Sequence, residues 1–192
     1  MFSKRSLKHF SNPSTTGFTL IELITVIVIA GVLAAIAAPG WFAFANSRRT
    51  SAARDQVLQI LRQTQAEATR SREPWVVEFD TTSTPPKITT RLAAPGSVSL
   101  TVDLGEGNDI RPGILEIEIS NNTADPNGRC NDDNCIAFEA DGTVSNLLNN
   151  LEPDDPIAIK ISAANSGTTT KRCVLIRSLL GAMQSANGDR CD

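Results

Sequence analysis

From Phe18 to Ala38 the chain reads FTLIELITVIVIAGVLAAIAA, and Glu22 is the only charged side chain between Phe18 and Asn46. No other feature constrains the fold as strongly. About twenty apolar residues, at about 1.5 Å of helix rise each, cross a hydrocarbon layer of about 30 Å. A helix apolar on all sides has no place on the surface of a soluble body and needs lipid or other helices around it. Lys4, Arg5 and Lys8 precede the run, so the positive-inside rule puts the N-terminus in the cytoplasm. Pro39-Gly40 is expected to kink or loosen the helix, and Trp41, Phe42 and Phe44 sit where an interfacial aromatic belt falls. Glu22 is the anomaly. A carboxylate in hydrocarbon costs about 2.5–3.5 kcal/mol on insertion scales and calls for a partner.

Beyond Asn46 the pattern stays helical but becomes one-sided. Val57, Leu58, Leu61, Thr64, Gln65 and Ala68 recur at spacings of three and four, while Arg48, Arg49, Arg54, Arg62 and Arg70 cover the remainder. Pro74 ends the helix. After it the period becomes two, in WVVEFD (75–80), KITTRL (87–92), SVSLTVDL (97–104), ILEIEIS (114–120), CIAFEA (135–140), TVSNLL (143–148), IAIKIS (157–162) and KRCVLIRS (171–178). Clean alternation in ILEIEIS and IAIKIS points to antiparallel strands with one wet face. The expected fold class is α+β, a long N-terminal helix packed on a small antiparallel β domain. The divisions are a leader at 1–17, a transmembrane helix at 18–45, its amphipathic continuation at 46–73, and a β domain at 74–192.

Charge and composition exclude several functions. The net charge of −3 is unevenly spread, since residues 46–73 hold six arginines against three acids and residues 74–192 hold nine basic side chains against seventeen acids. An acidic outer domain makes nucleic acid an unlikely partner, because phosphate binding needs a basic face. The one histidine is His9. Without residues 1–17 the chain has none, which removes Ser-His-Asp and Cys-His catalysis and His-ligated metals. The chain reads as no enzyme, with no cofactor and no metal site. Cys130, Cys135, Cys173 and Cys191 allow three pairings. Beyond a membrane span the compartment is oxidising, and Cys130–Cys135 with Cys173–Cys191 is the favoured set, each a local staple. A four-thiolate zinc site and a redox-active pair are the alternatives. The acidic loops GEGND (105–109) and DPNGRCNDDNC (125–135) are oxygen-rich enough for Ca²⁺ but lack EF-hand spacing.

The stretch GFTLIEL, Gly17 to Leu23, after a short basic leader and before an apolar run with a proline, resembles the prepilin signal of type IV pilins and type II secretion pseudopilins. The resemblance covers about residues 1–45. It implies cleavage by prepilin peptidase between Gly17 and Phe18, N-methylation of Phe18, and assembly roles for Glu22 and Pro39. The remainder is similar to the GspH/FimT group of minor pilins and pseudopilins, in QVLQILRQTQAEATRSREPWVVEF (56–79), CIAFEADGTVSN (135–146) and the closing strand pair CVLIRSLLGAMQSANGDRC (173–191). DNA-receptor members carry Gly-Arg-x-Arg in the closing turn, and this chain has Gly181, Ala182, Met183 and Gln184 there.

The resemblance implies a structural subunit of a type II secretion pseudopilus or type IV pilus, acting in filament initiation or at the tip. Its partners would be prepilin peptidase, the other pilins of the filament and an inner-membrane assembly platform. The expected location is a single-pass inner-membrane protein with a periplasmic β domain, later taken into a filament. Two other readings stand beside it. One is a binding module for DNA or a secreted substrate. The other is a periplasmic β protein released by signal peptidase after Ala43-Phe44-Ala45. The arginines of 46–73 are a solvated helix face, a binding face, or a contact for acidic β domains of adjacent subunits.

Overall fold

A computed structural model describes residues 17–94, 96–97, 99–105, 115–130, 133–149, 156–163 and 171–191. The chain divides into two units, Met1–Phe42 and Ala43–Asp192. Helix α1 runs Leu20–Ser71. α1 continues through Pro39 and Gly40. Proline's fixed φ suits a helix, and the ladder loses only the bond to the carbonyl four residues back.

In the second unit, α1 buries Thr50, Ala53, Val57, Leu61, Thr64 and Ala68. These follow one another at three and four residues, the spacing of a single helix face. The stripe extends about two turns further toward the N-terminus than the sequence suggested, through Ala53 to Thr50. Leu58 and Gln65 lie at its margin, half-buried. α1 stops at Ser71, and Arg72 takes φ 57°, the left-handed residue that commonly closes a helix.

The strands are β1 Trp75–Asp80, β2 Lys87–Leu92, β3 Ser99–Asp103, β4 Leu115–Ser120, β5 Cys135–Phe138, β6 Ile157–Ala163, β7 Arg172–Ile176 and β8 Met183–Asn187. They form two antiparallel sheets, in the orders β3-β2-β1-β5 and β4-β6-β7-β8. One apolar core joins α1 to both: Ala53, Val57, Leu61 and Ala68 share it with Val77, Phe79 and Ile88 of one sheet and Ile159, Ile161 and Val174 of the other. Gln56 fixes the end of β3 to the helix. Its Nε2 donates to the Asp103 carbonyl at 3.3 Å, and its Oε1 accepts from the Gly105 N–H at 2.8 Å.

The alternation rule holds at β4, where buried and exposed residues alternate, and fails at β5, where all four are buried. The reason lies on the outer faces. Cys130–Cys135 packs with Val76 and Ala137 outside the first sheet. Cys173–Cys191 packs with Ala158, Leu175 and Ala186 outside the second. Each disulfide loop covers a face that the pattern of β4 leaves to water.

TVSNLL is not a strand. Val144 makes one bridge to Phe138, and the chain then coils into a 3-10 turn, Ser145–Asn149. The Asn146 side chain takes the place of strand pairing. Its Nδ2 donates to the carbonyls of Thr123 (2.8 Å) and Cys135 (3.0 Å), and its Oδ1 accepts from the Ala137 N–H at 2.8 Å. This satisfies a buried strand edge that would otherwise carry unpaired polar groups. β8 went unread by periodicity because MQSAN is mostly polar and exposed, although it lies within the closing pair implied by resemblance.

Two loops depend on glycine. Gln65 Nε2 on α1 donates to the carbonyls of Gly142 (2.8 Å) and Leu180 (3.0 Å), tying two turns to the helix. Gly181 has φ 71°, and a Cβ there would lie 2.3 Å from Gln65 Nε2. Gly181→Ala should therefore cost at least about 1–2 kcal/mol from the left-handed backbone alone, with a further loss as Gln65 is displaced. Chemical unfolding of a Trp41→Phe form, which leaves Trp75 as the reporter, measures it.

The loop DPNGRCNDDNC, a candidate Ca²⁺ ligand set, uses its first carboxylate internally. Asp125 accepts from Arg129 at 2.8–2.9 Å through backbone and side chain, and from the Ser145 hydroxyl. Arg129 also donates to Glu139 at 2.9 Å. Burial pushes the Asp125 carboxyl up, but the hydrogen bonds from Arg129 and Ser145 outweigh it and hold the group well below its ordinary 3.8. Among the described residues no group of three His, Cys, Asp or Glu is placed to hold a metal. Most of GEGND lies outside the described residues. A carboxylate with a depressed folded pKa contributes stability that is complete above its unfolded value and is lost as pH falls below it. Unfolding midpoints should fall as pH drops below about 4, and less steeply in Asp125→Asn, which should itself cost about 1.5–3 kcal/mol at neutral pH.

Candidate functional site: the apolar helix and its lone carboxylate

Every residue from Gly17 to Phe44 is exposed. Phe18 is 83% exposed, Leu20 76% and Ile36 74%. The segment is long and apolar enough to cross a membrane. Exposure of so many large apolar side chains in one patch marks a surface that something else covers. Gly31 and Gly40 have nothing within 4 Å of where a Cβ would stand. Together with Ala34, Ala35, Ala37 and Ala38 they let another helix approach closely.

The glycine at position 17 differs in kind from Gly181. It is exposed, and an added Cβ would meet nothing within 4 Å. The fold therefore sets no requirement for glycine there. The Gly17–Phe18 peptide precedes the helix and lies in the open, as an external reader of that bond requires.

Thr19 caps α1. Its hydroxyl accepts from the Glu22 N–H at 3.3 Å, and its carbonyl accepts from the Leu23 N–H at 3.2 Å. Thr19-x-x-Glu22 is thus the spacing of a capping box, a local signal the sequence reading passed over. Glu22 stands in the first turn, where the helix dipole favours a negative charge by about 0.3–1 kcal/mol. That offsets only part of the cost of placing a carboxylate in hydrocarbon. Among the described residues Glu22 has no ion pair. Pro39 lies within the same helix, seventeen positions further on; nothing in the chain brings the two together.

The four cysteines stand in pairs, Cys130 with Cys135 and Cys173 with Cys191, at Cα–Cα distances of 5.6 and 5.7 Å. Among the described residues no cysteine is free. The closing turn at Gly181–Gln184 carries no cation: Ala182 and Gln184 are exposed, and Gly181 is buried under Gln65. A groove of about 350 Å³ lies between α1 and the first sheet, lined by Ile60, Thr64, Trp75, Ile88, Leu100 and Val102 among others.

Residues 13–38 match the family model of the prokaryotic N-terminal methylation motif. Two solved structures are similar. The type IV minor pilin FimU of Pseudomonas aeruginosa shares 16% identity at a TM-score of 0.50, over 73% of this chain and 90% of that one. The minor pseudopilin EpsH of the Vibrio cholerae type 2 secretion system shares 14% identity at a TM-score of 0.46, over 69% and 92%. No curated protein sequence matches significantly. The head of α1 thus carries a methylation motif, and the body has a fold similar to that of a minor pilin.

Proposed function

We propose that the protein is a minor pilin or minor pseudopilin, a structural subunit of a type IV pilus or a type II secretion pseudopilus. The observation that carries the reading is the lone Glu22 in the first turn of α1, whose apolar first half is wholly exposed, inside the methylation motif. Prepilin peptidase removes residues 1–17, and the new amine at Phe18 is methylated. Before assembly α1 spans the inner membrane with the β body outside the cytoplasm. In the filament the same apolar surface packs against the helices of other subunits. Exchanging lipid for helix contacts involves only a modest net change, since lipid tails are as apolar as leucine.

Glu22 then gains a partner. The α-amino group of Phe18 in a neighbouring subunit exists only after cleavage, and it neutralises the carboxylate in low dielectric. Such a pair repays its desolvation only at good geometry, so it fixes the axial register of adjacent helices, as a buried polar residue does in a coiled coil. Pro39 leaves one helical carbonyl without its N–H, a weak point at which α1 can loosen during packing. The closing turn without arginine supports a structural role over capture of DNA.

Intact mass and N-terminal sequencing of protein taken from membranes should give a chain beginning at methylated Phe18. A chain beginning at Asn46 would mean release by signal peptidase and no filament role. Glu22→Ala should lower incorporation into sheared filaments by about tenfold or more, because an unpaired buried amine costs several kcal/mol. Unchanged incorporation would sink the pairing.

A further inference from the structure

The body neutralises several of its arginines internally. Arg91 pairs with Glu78, Arg70 with Glu67, and Arg129 with Asp125. At the first two turns of α1 within the body the pattern differs. Arg48 lies over the Phe44 ring, 5.1 Å from its centroid. Arg49 donates to the Asn46 amide oxygen at 3.4 Å. Arg172 of β7 reaches across from far along the chain and donates to the hydroxyls of Ser47 (3.0 Å) and Ser51 (3.2 Å) and to the Lys171 carbonyl (3.4 Å). All these partners are neutral. They orient the guanidinium groups without cancelling their charge, and among the described residues none of the three has an ion pair.

Two more arginines join them. Arg54 donates to Asn187 Oδ1 at 2.8 Å, which holds the end of β8 against α1. Its ion partner, Asp55, is 62% exposed. Arg190 is exposed in the 3-10 turn Gly188–Cys191, whose first N–H, that of Gly188, donates to the carbonyl of Lys171, the residue before Arg172, at 3.0 Å. Asp189 is a further acid of this group among the described residues. The tertiary structure thus gathers positive charge at one end of a body whose residues 74–192 are strongly acidic.

We propose that Arg48, Arg49, Arg54, Arg172 and Arg190 form a docking surface for anionic phospholipid headgroups. The proposal rests on reading the apolar run of α1 as a membrane span. The span ends in Trp41, Phe42 and Phe44, the side chains that settle at headgroup level. Arg48 and Arg49 follow within about 6–8 Å of helix, at the depth of lipid phosphates. Guanidinium forks match phosphate oxygens bidentately. Arg172 is held between two serines, so little side-chain freedom is left to lose on binding. Such a surface anchors the subunit in the bilayer before assembly and must release its lipids when the helix is extracted.

The test uses full-length protein purified in detergent and exchanged with an equimolar mixture of phosphatidylglycerol and phosphatidylcholine. Native mass spectrometry then counts the lipids retained. The expected result is an enrichment of phosphatidylglycerol by about tenfold or more, since basic residues near the surface attract anionic lipid. Arg48→Gln/Arg190→Gln, two exposed positions at the rim of the cluster, should reduce it to about threefold or less, and adding Arg172→Gln should reduce it further. Circular dichroism reports whether each variant stays folded. Enrichment unchanged in the folded double variant overturns the proposal. Equal retention of both lipids overturns it while leaving the membrane span intact. Retention of neither lipid overturns the span and the proposal together. Displacement of phosphatidylglycerol by excess inorganic phosphate would assign the cluster to a soluble oxyanion, and displacement by a DNA duplex would assign it to nucleic acid; either outcome overturns the lipid assignment.

Discussion

The body depends on one helix face. Ala53, Val57, Leu61 and Ala68 present a narrow stripe that both sheets pack against. Each four-stranded sheet has an inner face that must be buried, and neither is large enough to close on itself. The stripe also needs small residues. Ala53 and Ala68 let backbone approach backbone at either end, while Val57 and Leu61 fill the middle, all of them with no exposed surface. The polar residues at the margin have a different task. Gln56 and Gln65 tie loops of the β body to the helix through paired hydrogen bonds. Apolar contact thus supplies most of the stabilisation, and the amides set the position of the turns.

The same helix carries a surface of opposite character in its first half. There the fold supplies no cover, and the side chains from Phe18 to Phe44 wait for lipid or for other helices. A single sequence element therefore serves two solvents. The division is chemical: α1 continues without a break, while its side chains change from uniformly apolar to one-sided near Asn46. Glu22 makes sense only in the first regime. The helix dipole gives it slight support, and in the filament proposed above a charge from outside the chain meets the larger part of its cost.

The two disulfides complete the body from outside. Each sits in a small apolar cluster on the outer face of one sheet. They take the place of the second layer that a larger domain would build. This is why β5 and β7 are buried on both faces in a body of this size, and why the cysteines cluster late in the chain, next to the strands they cover.

Much of this was readable from residue order. The apolar run, its one carboxylate, the change to a one-sided helix and most strand positions follow from local periodicity, because side-chain direction repeats every 3.6 residues in a helix and every two in a strand. Local periodicity misread TVSNLL, whose asparagine satisfies a strand edge with its side chain, and missed MQSAN, whose pairing is carried by backbone alone. It also could not separate two sheets from one, since sheet membership depends on which strands meet, as when β5 returns to pair with β1. The arginine cluster shows the limit most clearly. Arg48 and Arg49 are visible in sequence. Arg172 joins them only because β7 ends beside α1, and no local pattern encodes a contact between residues so far apart along the chain.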